Sequence, residues 1–143
     1  MVVTSGAIIT NSEGKYLLQL RDAKAPTYPN EWGLFGGHAE GNETPLETLI
    51  RELREELDIL FSPKRFAVIF AAQVLEDGIM SSYYSLQITD EECAHISLNE
   101  GAAYGFFSKE EMAELAILPV HRMLLRGLIE KAEAPLSAAT QTA

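Results

Sequence analysis

The chain has 143 residues, 47% apolar and 22% charged, an ordinary water-facing composition with enough length to bury one core without disulfides or structural metal. Its formal charge of −10 excludes a non-specific nucleic-acid binder, which needs Lys and Arg in excess, but leaves open a small phosphorylated ligand, because a bound metal reverses the local field. No apolar run reaches the roughly 18 residues of a membrane helix, MVVTSGAIIT has no basic region ahead of an apolar one, and Cys93 stands alone, so no membrane segment or secretion signal is read and a reducing cytoplasm is expected.

Val2 to Thr10 is apolar and β-branched, Asn11-Ser12-Glu13-Gly14 supplies turn chemistry, and Tyr16 to Arg21 resumes with Leu17, Leu18 and Leu20, which predicts a β-hairpin. Residues 22–32, with Pro26, Pro29 and Asn30, read as a loop that delivers Trp32 to a short strand at Gly33 to Gly36. A helix is expected from Pro45. Thr44 caps it, and Glu47 completes a Thr-x-x-Glu capping box. Leu46, Ile50, Leu53 and Leu57 recur at three- and four-residue steps and form the expected core stripe. On another face Glu52, Glu55 and Glu56 stand together. Like charges so gathered repel, and a divalent cation is the natural counter-ion.

Ser62-Pro63 ends this helical region, and Phe66 to Leu75 with Ser82 to Thr89 predict a second hairpin around Glu76-Asp77-Gly78. Ala103 to Phe107 reads as a last strand and Ser108 as the cap of a short helix. The final helix is expected from Pro119 to about Ala132, with Val120, Leu124, Leu128 and Met123 on its stripe. No repeat or linker divides the chain, so residues 1–134 are expected to form a single α/β (α+β) domain, with 135–143 a flexible tail.

The most specific signal is Gly37, five residues, Glu43, seven residues, then Arg51-Glu52-Leu53-Arg54-Glu55-Glu56, closed by Ile59. This stretch, GHAEGNETPLETLIRELREELDI, resembles the Nudix box, the signature of Mg-dependent hydrolases that cleave a nucleoside diphosphate linked to another group. Only Asp58 departs from it, standing where the family pattern has glycine, which bears on the helix exit rather than on the charged positions. The resemblance implies a mixed β-sheet sandwiched between α-helices. It also implies Mg2+, with Mn2+ able to substitute, held by Glu52 and Glu56, with Glu55 either a third ligand or a holder of metal-bound water, and by a backbone carbonyl of Gly36 or Gly37. Arg51 would orient a catalytic glutamate, and Glu43 is structural first, an outer metal ligand second.

The general base is either a box glutamate or Glu100 in a later loop, with His121 a weaker option. Arg21, in a Gln-Leu-Arg run similar to one that faces substrate in the family, is a candidate diphosphate ligand, and His38 a candidate phosphate contact. Tyr28, Trp32 and Phe35 are candidate walls for a base or sugar, as are Tyr83 and Tyr84; Phe35 suits the core better. The expected partner is therefore a nucleotide: a nucleoside triphosphate, to which Trp32 to Gly37 tilts the reading by likeness to small MutT-like members, a nucleotide sugar or ADP-ribose. A homodimer rests on family analogy alone. The competing reading is a non-catalytic nucleotide-binding sensor, which would be expected to lack one or more of the box carboxylates.

Overall fold

The computed structural model describes residues 2–99 and 103–133. In chain order the elements are β1 (Val2–Thr10), β2 (Tyr16–Leu20), β3 (Trp32–Gly33), β4 (Phe35–His38), α1 (Pro45–Leu57), β5 (Phe66–Glu76), β6 (Ile79–Gln87), α2 (Asp90–His95), β7 (Ala103–Phe107), α3 (Lys109–Met112) and α4 (Pro119–Glu133). The seven strands form one mixed sheet in the order β3-β2-β1-β6-β5, with β4 on β1 and β7 on β2. β1 is its centre, parallel to β6 from Val2↔Ile79 to Thr10↔Gln87 and antiparallel to β4 from Thr4↔His38 to Ala7↔Phe35.

Alternation along β1 and β2 splits the core in two. Ala7, Ile9 and Leu17 join Leu49, Leu53 and Leu57 of α1 on one face, while Ile8 and Leu18 join Leu124 and Leu125 of α4 on the other. This is the expected sheet between helices. Each of those α1 leucines is fully buried, a gain of about 1.5–3 kcal/mol apiece before entropy is counted. No described helix is long and apolar enough to cross a membrane.

Several expectations are corrected. The α1 stripe runs through Leu49 rather than Ile50, and it includes Glu56, only 2% exposed between Leu53 and Leu57, so the acidic and apolar faces overlap. The strand expected at Gly33 to Gly36 is two short strands. β3 pairs with β2 and β4 with β1, and Leu34 between them gives its N–H to Nδ1 of His121 at 3.0 Å. The first hairpin touches only at Thr10↔Tyr16, because β4 takes the edge of β1 that β2 would have used. The second hairpin turns at Asp77-Gly78, so β6 starts three residues before Ser82. Thr89 ends no strand; it caps α2 with Glu92 in a Thr-x-x-Glu box that the hydrophobic pattern overshadowed.

The capping box at Thr44 and Glu47 is formed as expected. α1 ends at Asp58 in the left-handed region, φ 62° and ψ 34°. That conformation explains a glycine preference there, and Asp is among the few side chains that tolerate it.

Candidate active site

Arg51 is the hub of the acidic cluster. Its guanidinium donates from Nε and Nη2 to the two carboxylate oxygens of Glu43 at 2.7 and 3.1 Å, from Nη2 to the His38 carbonyl at 2.9 Å, and from Nη1 to Glu52 Oε1 at 3.0 Å and Glu55 at 3.2 and 3.3 Å. One side chain therefore ties the segment before α1 and the helix's later turns to the end of β4. The rigid planar fork suits this better than an ammonium would. Glu43 also accepts from the Glu40 amide at 2.9 Å and the Thr48 hydroxyl at 3.1 Å. With Arg51 as the first cause, its carboxyl is held down to about 2, while the guanidinium is raised by Glu43. Both carboxylate oxygens of Glu43 are thus engaged within the protein.

Glu52 lies directly against Gly37: a Cβ on that glycine would stand 2.3 Å from the Glu52 carboxyl carbon and 2.5–2.7 Å from its oxygens. Gly36 is required for another reason. It has φ +151°, and its Cβ would fall 2.1 Å from the Ser5 carbonyl oxygen of β1. Glu56 is buried, and its Oε2 accepts from Gln19 Nε2 at 3.2 Å; the same amide also donates to the Leu34 carbonyl at 3.3 Å. Glu55 is half exposed and leans to Arg51. Among the described residues no three His, Cys, Asp or Glu side chains stand close enough to share one ion as positioned.

The end of α1 is held by another segment. Asn99 donates its backbone N–H to the Glu56 carbonyl and its side-chain amide to the Glu55 carbonyl, both at 3.0 Å, and the Ser97 N–H reaches the Leu57 carbonyl at 3.1 Å. Glu100, the loop candidate for general base, lies outside the described residues.

A cavity of about 540 Å³ opens beside this cluster. Arg21, Tyr28, Phe35, Gly36, Gly37, His38 and Glu52 all contribute to its wall. Arg21 is steadied by Thr27, whose carbonyl and hydroxyl accept at 3.0 and 3.2 Å, and Tyr28 beside it is 42% exposed with φ +49°. Phe35 presents little beyond its backbone, being 1% exposed in the core under α1. Trp32, like Tyr84, is not among the aromatic walls of the cavity. It packs edge-on against Phe107, ring centres 4.9 Å apart, in the core under α4, and is not part of the cavity wall. Pairing of Trp32 with Leu20 and the bonds of its backbone to Ala116 and Leu118 turn it that way.

Three further side chains contribute to the wall: Gln19, which was not singled out from the sequence, and Tyr83 and His121, which were. Gln19, on the α1 face of β2 with Leu17, was legible from alternation alone. Tyr83 covers Gly6, whose Cβ would meet its ring at 2.7 Å, whereas Tyr84 packs in the core under α1. His121 takes the Leu34 N–H and lies edge-on to Tyr83 at 6.1 Å. Burial, then the charge of Arg21, push its pKa down to about 4, so it is neutral at pH 7 and anchors α4 to the β3–β4 junction. A second groove, about 350 Å³ between α3 and α4, contains none of the candidate residues.

Comparison with known proteins follows the same lines. A family model described as NUDIX domain matches residues 2–138. The chain is 30% identical over 132 residues to a protein named nucleoside triphosphatase NudI from Salmonella newport (strain SL254), spanning 85% of this chain and 94% of that protein. Among solved structures, a MutT protein from Methanosarcina mazei Go1 superimposes with a TM-score of 0.73 at 22% identity, covering 93% of this chain and 96% of its own. The solution structure of the E. coli ORF135 protein gives a TM-score of 0.67 at 25% identity, covering 95% and 94%.

Proposed function

Because the chain belongs to the NUDIX family and is a Nudix pyrophosphohydrolase, we propose that it hydrolyses a nucleoside triphosphate with Mg2+ held by Glu52 and Glu56. The observation that carries this reading is the Glu52 carboxylate set against Gly37 in the cavity wall and held there by Arg51. The donor set supports it: these are hard oxygen ligands, and magnesium needs only one or two carboxylates when substrate phosphates and water complete its shell. The space that a Cβ would fill at Gly37 supports it too. Glu55 serves as a further ligand or holds water, and a carbonyl of Gly36 or Gly37 completes the protein's share. Magnesium, or manganese in its place, supplies charge neutralisation of the diphosphate and a more acidic attacking water.

The chain's own residues do the rest. Arg21, at the cavity wall, binds a phosphate oxygen by charge-assisted hydrogen bonds, and His38 is a second phosphate contact. Tyr28 covers the nucleoside. Arg51 touches no substrate; it keeps Glu52 and Glu55 in orientation while Gln19 does the same for Glu56. A box glutamate that does not hold the ion, or Glu100, takes the proton of the attacking water. A triphosphate is favoured over a nucleotide sugar or ADP-ribose by the name of the Salmonella relative and by the Trp32 to Gly37 run. A nucleotide substrate agrees with the cytoplasmic location expected from the sequence.

The test is a panel of nucleoside triphosphates, nucleotide sugars and ADP-ribose assayed with Mg2+ and Mn2+, with products separated by chromatography. A triphosphate should yield nucleoside monophosphate and pyrophosphate. Loss of a ligand worth several kcal/mol should make Glu56→Gln at least about a hundredfold slower at unchanged fold. Turnover confined to nucleotide sugars or ADP-ribose would overturn the substrate assignment, and a metal-independent rate would overturn the metal.

A further inference from the structure

Three carboxylates of the described residues reach the cavity wall: Glu40, Glu52 and Glu76. Arg51 holds Glu52 at 3.0 Å and stands 3.6 Å from Glu40. Glu76 lies apart from that cluster, at the end of β5, and no hydrogen bond or ion pair reaches its carboxylate among the described residues. Leu75 and Glu76 are consecutive in a strand, yet both line the cavity, because the register shift between Val74 and Glu76 breaks the alternation and re-aims the chain there. Burial pushes the Tyr83 phenol up; the Ser81 hydroxyl bonded to it works the other way, and the Glu76 charge adds to the rise, so these three groups adjoin in the wall.

Strand register sets what lies between Glu76 and the glycines. His38, Thr4 and Ser81 stand in one row across β4, β1 and β6, with Thr4 Oγ1 and Ser81 Oγ 2.8 Å apart. Glu76 pairs with Ile79, which shares a face of β6 with Ser81. From β4 to β5 is three strand spacings, roughly 14 Å, and a nucleotide whose phosphates sit at Gly36 and Gly37 extends along that row. Its ribose, directly joined to the phosphates, falls over Thr4 and Ser81, and the base is the part that reaches β5. Leu75, Ile79 and Val120 offer apolar surface to the faces of a ring. An ionised carboxylate repels phosphate and only accepts hydrogen bonds. The exocyclic amino group of cytosine or adenine donates to it, whereas uracil and hypoxanthine turn a carbonyl oxygen to the same place.

We propose that Glu76 is the residue of this cavity that reads the base, selecting nucleotides whose base carries an amino group on the edge away from the sugar, cytosine over uracil and adenine over hypoxanthine. The inference rests on the proposed function in taking a nucleotide as ligand, and it adds the part of the nucleotide that is selected.

The test compares kcat/KM of the full chain for CTP against UTP and for ATP against ITP, pairs that exchange an amino group for a carbonyl at one ring position. The amino member should be favoured by about tenfold or more, as one hydrogen bond to a charged group gives. Glu76→Gln, whose amide both donates and accepts, should bring both ratios close to one, with the ratio of CTP to dCTP unchanged. Titration calorimetry of CMP and UMP, which needs neither turnover nor a triphosphate, should show the same preference and its loss in Glu76→Gln. A chain that hydrolyses no triphosphate but still binds CMP over UMP through Glu76 overturns the proposed reaction and supports this inference. Equal treatment of both pairs by the wild type overturns it, as does a preference that survives Glu76→Gln. A variant that shifts the CTP to dCTP ratio instead shows the carboxylate reading the sugar, which also overturns it.

Discussion

The side-chain amide of Gln19 donates to Oε2 of Glu56 at 3.2 Å and to the Leu34 carbonyl at 3.3 Å, so one residue of β2 sets the direction of a carboxylate on α1. Partners that orient a metal-binding carboxylate typically account for about 10–100-fold in affinity or rate. Gln19→Leu keeps the volume and removes the donor. Magnesium affinity, read by titration calorimetry without nucleotide, should fall by about tenfold or more, with little change in thermal midpoint. An unchanged magnesium isotherm would show that Glu56 holds its direction without Gln19.

The paired glycines should respond differently to alanine. At Gly37 the nearest atoms the added Cβ meets are the end of the Glu52 side chain, from 2.3 Å, and that side chain can swing away. At Gly36 it meets the Ser5 backbone at 2.1 Å in a conformation, φ +151°, that L residues rarely adopt. Gly37→Ala should therefore cost turnover, at least about tenfold by loss of one transition-state contact, with the fold kept. Gly36→Ala should destabilise by more than about 2 kcal/mol. Equal losses of stability in the two variants would refute this division of roles.

Glu43, held down from 4.5 to about 2 by the hydrogen bonds and charge of Arg51, carries a pH signature. Its folded pKa lies below its unfolded one, so its contribution is complete above pH 4.5 and is lost as pH falls toward 2. Glu92, lowered to about 2 by Arg65, titrates in the same window. Glu43→Gln should flatten the acid limb of stability relative to wild type, as should Glu92→Gln, each in part. Chemical denaturation at steps from pH 5 to 3 reads this, and superimposable acid limbs for wild type and Glu43→Gln would exclude it.

How much of this was readable beforehand depended on how local the signal was. α1 carried its own cap, first-turn proline and stripe, so its start at Pro45 followed from the sequence. The acidic cluster did too, because i, i+3 and i+4 spacing is a local property. Trp32 was misjudged because its loop surroundings resemble a ligand wall, and only its pairing with Leu20 and the approach of Phe107, far along the chain, commit it to packing. The burial of Glu56 beside Leu53 was hidden likewise: charge marks a residue as solvent-facing in a pattern, and the partner that overrides this, Gln19, lies 37 positions away. The splitting of the Gly33 to Gly36 strand required His121, 87 positions from Leu34.

His121 should govern stability on the neutral side of the Glu43 window. Burial and Arg21 lower its pKa from 6.5 to about 4, so the unfolded chain takes up a proton that the folded chain refuses. Its stabilisation is complete above pH 6.5 and is lost as pH falls toward 4, a span worth on the order of 3 kcal/mol. His121→Gln, which keeps an acceptor within reach of the Leu34 N–H, should remove that slope between pH 6.5 and 5. Should the variant and the wild type lose stability in parallel over that interval, another group is responsible.

Asp58 is where this chain departs from the Nudix box, and the departure is conformational. Its backbone is left-handed, φ 62° and ψ 34°, and its N–H bonds to the Arg54 carbonyl to close α1. A glycine adopts that conformation without the steric cost of a Cβ, whereas Asp relieves only part of a penalty of about 1 kcal/mol or more. Asp58 is exposed and contributes to neither the cavity wall nor the Arg51 cluster. Asp58→Gly should therefore raise stability by up to about 1 kcal/mol, with kcat and magnesium dependence unchanged. A drop in kcat at unchanged stability would mean that the carboxylate, and not the turn, is what this position supplies.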